Sequence, residues 1–520
     1  MNAANTWWKK LPLLRPLVIF GGGILAARHW TVIGFTPVWV LLGVAVVYQT
    51  GLLLYQRYRP IPYAKEYLKH IAFIIALFAF SWCYAFLRNP RVAMNHVKHF
   101  SIRHSVPIEA RIVDIKKRPG MADRLSLELI RVRETPMSGL FWCYETDNSL
   151  LKGMRIQLLG NMNLFATKGL LKDWEERAMQ RGIDGIIIRN KTKQKQIAVL
   201  EQADKISSAF YFCQTQISRS FLQSLPDTMA TFATALCIGE KDGLSKFLQA
   251  DYTACGLSHI LAVSGMHLGL VVLALQYILF FLSPSPRVKT ILLILFIWIF
   301  SILSGGSAAV MRAALMYSIS MAAPLFYRQG KAENGLVASL FILLLIDPYY
   351  LFDVGFQLSY AAILSILWIY PKFRDLLVVN NKILLALWNL VCISLAAQLL
   401  TAPLCLFYFK QFPNYFLPAN LWAIPFSIVV LYALLLLVLV HPFTYLSGLL
   451  SWICIFLVKL LNQGIHWLAH RKGAVSYFPN FDGIHALTLI LSVFLFLRLL
   501  EKQNAVRIIQ TAFALLSLLI

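Results

Sequence analysis

At 520 residues, with 58% hydrophobic and 14% charged side chains, the chain falls well below the roughly 25% charge of soluble domains, which excludes a soluble globular protein. Lys and Arg number 48 against 24 Asp and Glu, a formal net charge of +24. Cytoplasmic loops and anionic lipid explain such an excess, and a polyanionic substrate is the sharper alternative.

Apolar stretches recur at about 11–27, 38–54, 71–87, 259–282, 291–303, 308–326, 336–346, 354–370, 383–409, 415–440, 443–460, 485–500 and 505–520. A bilayer core takes about 20 helical residues, so about ten to twelve spans are expected, with shorter runs tilted, broken or re-entrant. Lys9, Lys10 and Arg15 lead the first span, and Arg57, Arg59, Lys65 and Lys69 fill the loop before the third. Both ends of that hairpin should therefore face the cytoplasm, and the third span, ending near Arg88, delivers the next segment to the outer side. Leu11–Phe20 runs on through three glycines into more apolar sequence, so no cleavable signal peptide is expected and the glycines suit close helix packing.

Residues 1–88 form a three-span anchor, and 89–204 form a different material. Ile108–Ile115 and Leu125–Arg133 alternate apolar and polar residues as half-buried strands do. Arg155–Leu159, Ile186–Arg189 and Ile197–Leu200 add three short strands, separated by turns at Arg118-Pro119-Gly120, Lys152-Gly153 and Asn190-Lys191. Five short strands suggest a small barrel, with a helix at Lys172–Gln180 before the fourth. Of eight cysteines, only Cys143 lies in the core of this segment, so it has no internal disulfide. Arg103, Arg111, Lys116, Lys117, Arg118, Arg124, Arg131 and Arg133 give it a basic bias with few acids. A solvated surface near headgroups explains the bias alone, but on a barrel of this size distributed charge suits phosphates. Phe141, Trp142 and Tyr144 are candidate stacking residues, two of them expected in the core.

Residues 205–255 read as amphipathic helices lying in the interface, broken at Pro226-Asp227, where Asp227 could cap the second helix. Gly239–Ser245 is a compact polar turn. From 256 to 520 the chain is a polytopic bundle, interrupted around Ser304–Ser307 and Asn414–Asn420.

Polar residues inside that bundle are few. Gly256, Ser258, His259, Ser264, Gly265 and His267 interrupt one apolar run, and groups of that kind at membrane depth want a partner, a cavity or water. The two histidines lie about 80° apart on a straight helix, but a break at Ser264-Gly265 could bring them together. No HExxH motif or nearby carboxylate completes a metal site, and the serines could simply bond carbonyls one turn back. Arg312 should meet Asp347, Asp353, helix carbonyls or a passing anion, unless it snorkels to headgroups. Asp353 is placed to cap the helix carrying Gln357, while Gln398 and Thr401 share a face just before Pro403, which should loosen that helix. Asn420 follows, and His466 and His470 share a face later.

Taken in order, Ala235–Leu244, Gly256–Val271, Met311-Arg312-Ala313, Asp347–Tyr360, Ser394–Pro403 and Phe412–Asn420 resemble the ComEC-type competence proteins, DNA-uptake channels of the bacterial inner membrane. The resemblance implies a polytopic α-helical membrane protein with an inserted extracytoplasmic, oligonucleotide-fold-like β-barrel. It implies passage of single-stranded DNA into the cytoplasm during natural transformation, with Gly256, Ser258, His259, Ser264, Gly265, His267, Arg312, Asp353, Gln357, Gln398 and Asn420 as channel-motif residues. Longer members add a metallo-β-lactamase-like domain with an HxHxDH motif. No such motif occurs before Ile520, so a form without that domain, with no nuclease activity, cofactor or metal, is expected, and a separate nuclease or a longer native gene product would supply that activity. The implied partners are single-stranded DNA, membrane lipids, a DNA-receiving envelope protein, a cytoplasmic ATP-driven or DNA-binding protein and a separate nuclease. The alternatives are a secondary transporter for a small organic or phosphorylated anion, binding at Arg312, and a membrane scaffold whose outer domain binds an envelope protein. Ser264 and His267 lack a third group for hydrolysis.

Overall fold

The computed structural model describes residues 13–29, 63–88, 105–116, 122–146, 150–165, 183–189, 197–202, 205–241, 243–326 and 332–502. The chain divides into two compact units, one of Leu14–Cys213 with Ile346–Tyr349, the other of Gln214–Leu345 and the chain from Tyr350 on.

In the first unit, helices α1 (Leu14–His29) and α2 (Tyr63–Leu87) pack together. A Cβ on Gly23 would collide with the Ser81 hydroxyl and the Phe78 carbonyl, whereas one on Gly21 would meet nothing within 4 Å, so Gly23 of the run serves close helix approach. The barrel follows as β1 (Val106–Lys116), β2 (Asp123–Val132), β3 (Leu140–Glu145), β4 (Arg155–Leu164) and β5 (Gly185–Arg189). These pair in the order β1-β2-β3-β5-β4 and close through β1 with β4. All contacts are antiparallel except β3 with β5. Alternation puts Val106, Ile108, Ala110 and Ile112 of β1 in a core with Leu125, Leu127, Ile156 and Leu158, and closure leaves these five strands no unpaired edge. A buried ion pair, Arg189 Nε to Glu145 Oε2 at 2.8 Å, joins β5 to β3.

The five closing strands differ from the five expected. Leu140–Glu145 is a strand that the pattern hides, because Phe141 and Cys143 face the core while Trp142 is covered on the other side by Phe165 and Ile183. A strand covered on both faces loses its alternation. The predicted strand at Ile197–Leu200 becomes β6 (Ala198–Glu201), which pairs with β4 outside the closed ring. The Lys152-Gly153 turn is present, its Gly153 amide donating to Ile112. The Arg118 and Asn190 turns, the Lys172–Gln180 helix and the stretches at 38–54 and 505–520 lie outside the described residues.

Helices of the second unit begin with α3 (Lys205–Ser224, from Gln214 on), α4 (Asp227–Ile238) and α5 (Lys246–Ala254). Next come α6 (Gly265–Leu282), α7 (Pro286–Leu303), α8 (Ala308–Ala322), α9 (Ala332–Ile346), α10 (Val354–Arg374) and α11 (Lys382–Phe409). The last are α12 (Phe416–Val440), α13 (Thr444–Ala469) and α14 (Gly483–Lys502). Among the described residues six helices, α6, α7, α10, α11, α12 and α13, are long and apolar enough to cross a membrane, and six apolar segments are shorter. A two-stranded ribbon, β7 (Gln411–Pro413) with β8 (Val475–Tyr477), ties the end of α11 to the chain after α13.

Four local expectations change. Instead of lying in the interface, α4 buries Ala230 and Phe232–Ile238 in the core built around α12 and α13. Asp227 is the first helical residue, with Pro226 before it and no side-chain cap bond. Pro403 sits inside a continuous α11; its missing N–H costs one hydrogen bond without ending the helix. The interruption after α11 closes at Tyr415, so Asn420 lies within α12.

Candidate functional site

Most of the polar residues collect at helix ends. After α5 the chain closes a Schellman turn: the Gly256 amide donates to Thr253 (3.0 Å) and the Leu257 amide to Tyr252 (2.7 Å), with Gly256 at φ +73. A Cβ on Gly256 would lie 2.8 Å from Pro413 Cγ, so this turn rests on the β7 ribbon. Ser258 and His259 complete it locally, Ser258 Oγ 3.0 Å from Thr253 Oγ1 and His259 Nδ1 3.2 Å from the Gly256 carbonyl. Both are exposed. A second Schellman turn ends α7, with Gly305 donating to Ile302 and Gly306 to Ser301.

The expected break at Ser264-Gly265 is where α6 starts. His267 Nδ1 accepts the Ser264 amide at 3.1 Å and lies 3.2 Å from the Ser264 hydroxyl, a capping box built with imidazole. A neutral His267 accepting at Nδ1 carries its proton on Nε2, and that nitrogen is buried without a hydrogen-bond partner among the described residues. Among the described residues neither Ser258 nor Ser264 bonds a carbonyl one turn back. Gly265 and Gly269, four residues apart, face Ala313 and Tyr317 of α8, where added Cβ atoms would stand 3.1 and 2.5 Å from Ala313 Cβ and Tyr317 Oη. The start of α6 thereby lies against the residue next to Arg312.

Arg312 is 4% exposed, which rules out snorkelling. Its Nη2 donates to the Gly355 carbonyl in the first turn of α10 at 3.0 Å, and its guanidinium stands 5.5 Å from the Phe356 ring. A cation at a helix N-terminus is in the disfavoured sense. The Asp353 carboxylate there opposes that cost while capping α10, accepting the Phe356 amide at 2.6 Å as expected. Of the two carboxylates considered, Asp347 instead accepts the Tyr349 amide. Nε and Nη1 of Arg312 are buried without a hydrogen-bond partner among the described residues. Gln357 bridges two elements, donating to Leu351 O at 2.9 Å and accepting from Tyr408 of α11 at 2.8 Å.

Arg312, Asp353 and Gln357 are thus brought to one helix end, with Gly265 and His267 adjoining through α8. Ser258 and His259 stay in their own turn. Gln398 is half-buried in α11, where its backbone carbonyl faces Thr401 Oγ1 at 3.4 Å, and Asn420 Oδ1 is buried without a partner among the described residues. Sequence reasoning missed Tyr408 and the Ser339–Tyr360 pair, whose hydroxyls are 3.1 Å apart; their partners lie in distant helices.

On the barrel, Lys116 pairs in register with Arg124, and Arg124 with Tyr144. The Arg124 guanidinium lies 4.2 Å from the Trp142 ring. Phe141 and Trp142 are buried and Tyr144 is half-exposed, the division expected of the three aromatics. Acids are closer than the sequence suggested: Glu128 pairs with Arg111 and Glu109 with Arg131 across β1 and β2. Arg133 turns the chain at φ +57. Arg103, Lys117 and Arg118 lie outside the described residues.

Six helices among the described residues that are long and apolar enough to span, together with a closed barrel, make this a multi-pass protein of the bacterial cytoplasmic membrane with an extracytoplasmic barrel domain. The competence protein family model matches residues 236–503, just over half of the chain. The chain belongs to that family. It is similar to ComE operon protein 3 of Bacillus subtilis (strain 168), 33% identical over 208 residues that make up 40% of this chain and 26% of the relative. The chain thus spans about a quarter of that relative's length. No solved structure matches it.

Proposed function

We propose that this chain conducts single-stranded DNA across the cytoplasmic membrane into the cytoplasm during natural transformation, as a ComEC-type channel. One observation carries the reading: the family match takes in every candidate residue from Gly256 to Asn420, and most of those residues sit near helix ends and in turns inside an otherwise apolar unit, with Gln398 and Asn420 inside helices. Phosphates cannot be stripped into hydrocarbon, since even one buried ion costs several kcal/mol. A hydrated path lined by Arg312, His259, Gln357, Gln398 and Asn420 keeps them solvated without trapping them. The barrel receives the strand first. Its strand order is that of the oligonucleotide-binding folds, and Lys116, Arg124 and Tyr144 put charge and a ring on the strand face those folds use.

In this reading the chain is a conduit and catalyses nothing. No ATP-binding P-loop occurs in the sequence, so direction comes from a cytoplasmic ATP-driven or DNA-binding partner. An envelope protein hands over the DNA, and a separate nuclease removes the other strand.

The test is uptake of labelled DNA by cells carrying Arg312→Gln. Loss of cytoplasmic label with normal protein level and surface binding is expected. Normal delivery removes Arg312 from the path, and small-anion flux coupled to ions at fixed stoichiometry replaces the channel with a transporter.

A further inference from the structure

We propose that Asp251, His466 and His470 form a binding site for a divalent transition metal of the zinc class. His466 and His470 stand one helical turn apart at the end of α13, their rings 4.1 Å apart. This i,i+4 spacing points two imidazoles at one position. Asp251 of α5 completes the group: its Oδ2 lies 2.8 Å from His466 Nδ1 and its Oδ1 3.7 Å from His470 Nδ1. One ligand atom from each residue falls within 4.8 Å of the others. The hydrogen bond from His466 to Asp251 and that from His470 Nδ1 to the His466 carbonyl at 3.0 Å hold the two imidazoles in place, and an ion would replace the bond of whichever nitrogen it took.

The donor set selects the ion. Two imidazole nitrogens and one carboxylate oxygen suit zinc and its neighbours, whereas magnesium and calcium take oxygen ligands. The imidazoles are 64% and 62% exposed and the carboxylate 14%, so an ion enters from solvent onto an anchored acid. The two helices are already fixed to each other beneath the site. Tyr252 Oη donates to Asn462 Oδ1 at 2.9 Å, and Cys255 Sγ to the Ile465 carbonyl at 3.6 Å. Because Asp251 lies five residues before Gly256, a bound ion would clamp to α13 the helix that ends in the Gly256 turn. This site does not depend on the DNA reading.

The test uses the full chain without a histidine tag, in lipid nanodiscs, stripped with chelator and titrated with Zn²⁺ by calorimetry and with Co²⁺ by visible absorption. Wild type should bind one equivalent with a cobalt–imidazole spectrum, and binding should weaken at least tenfold in His466→Gln/His470→Gln. Zinc should also slow hydrogen exchange of α5 amides in wild type alone. Asp251→Asn keeps the side-chain shape and should weaken binding as well, so it decides the matter if the double variant fails to fold. Equal zinc affinity in wild type and variants, or no saturable binding by wild type, overturns the proposal.

Discussion

Gly256→Ala probes whether the first polar turn is held by backbone conformation and by its seat on Pro413. Gly256 sits at φ +73, where an L-residue costs about 1–2 kcal/mol. Its new Cβ would stand 2.8 Å from Pro413 Cγ and 3.3 Å from Pro413 Cβ, and a proline ring cannot swing aside. Overpacking of that kind costs about 1–3 kcal/mol, giving about 2–5 kcal/mol together. Gly305→Ala is the control: φ is +80 but nothing lies within 4 Å of its Cβ, so only the dihedral part, about 1–2 kcal/mol, applies. The assay is hydrogen exchange, read as local opening free energy at the Leu257 amide, which donates to Tyr252, and at the Gly306 amide for the control. Adding Pro413→Ala to Gly256→Ala should return the packing part and leave the dihedral part. If Gly256→Ala costs no more than Gly305→Ala, or Pro413→Ala restores nothing, the turn does not rest on the ribbon.

Three further outcomes follow from the geometry. In the barrel, Glu145→Leu breaks the buried ion pair with Arg189 and should destabilise by about 3–5 kcal/mol, whereas Glu145→Leu with Arg189→Leu should cost far less; denaturant unfolding followed by barrel-specific exchange decides, and equal losses would refute the pairing. Lys116→Gln with Arg124→Gln in the full chain should weaken single-stranded DNA binding and flatten log K against log salt by about 0.7 per lost phosphate contact; an unchanged slope takes both residues out of phosphate binding. Gly269→Ala should cost about 1–3 kcal/mol by pushing on the Tyr317 hydroxyl, and Tyr317→Phe should recover most of it; no recovery in thermal unfolding would mean that α6 and α8 approach less closely.

What was legible in the sequence was what repeats or interrupts locally. β1 and β2 face water on one side, so their alternation shows; Leu140–Glu145 is covered on both sides and hides. The breaks at Ser264 and at Ser304–Ser307 were readable because glycine and serine replace apolar residues there, and the Asp353 cap because its partner is three residues away. Contacts between distant helices leave no such trace. Arg312 looks for a carboxylate in sequence, yet its hydrogen bond goes to a backbone carbonyl 43 residues on, a group every residue carries. Gln357 meets Tyr408 51 residues away. Asp251 and His466 are separated by 215 residues, so His466 and His470 showed only as a shared face. Pro403 misled for the opposite reason, since a long helix packed against α10 and α14 absorbs one missing bond.

Helix ends account for where several of the polar groups gather. α4 has 12 residues and α8 and α9 have 15 each, about 18 and 22 Å at 1.5 Å per residue, against a hydrocarbon core of about 30 Å. A helix that short, set in the bilayer, would leave an end at a depth where lipid offers no hydrogen bonds, and a backbone left bare there costs several kcal/mol per group. The caps fall on helices of both lengths: the αL glycine Gly239 ends the short α4, while Gly305 ends α7, the His267 imidazole caps α6 and Asp353 caps α10 beside Arg312, three helices long enough to span. Groups that satisfy a helix end can also hold water, and water is what a polyanion requires of its path. In the proposed channel the residues that cap these helix ends are therefore the same ones that keep a strand of DNA hydrated, and separating the two roles needs variants such as Arg312→Gln that remove charge while the helix caps stay.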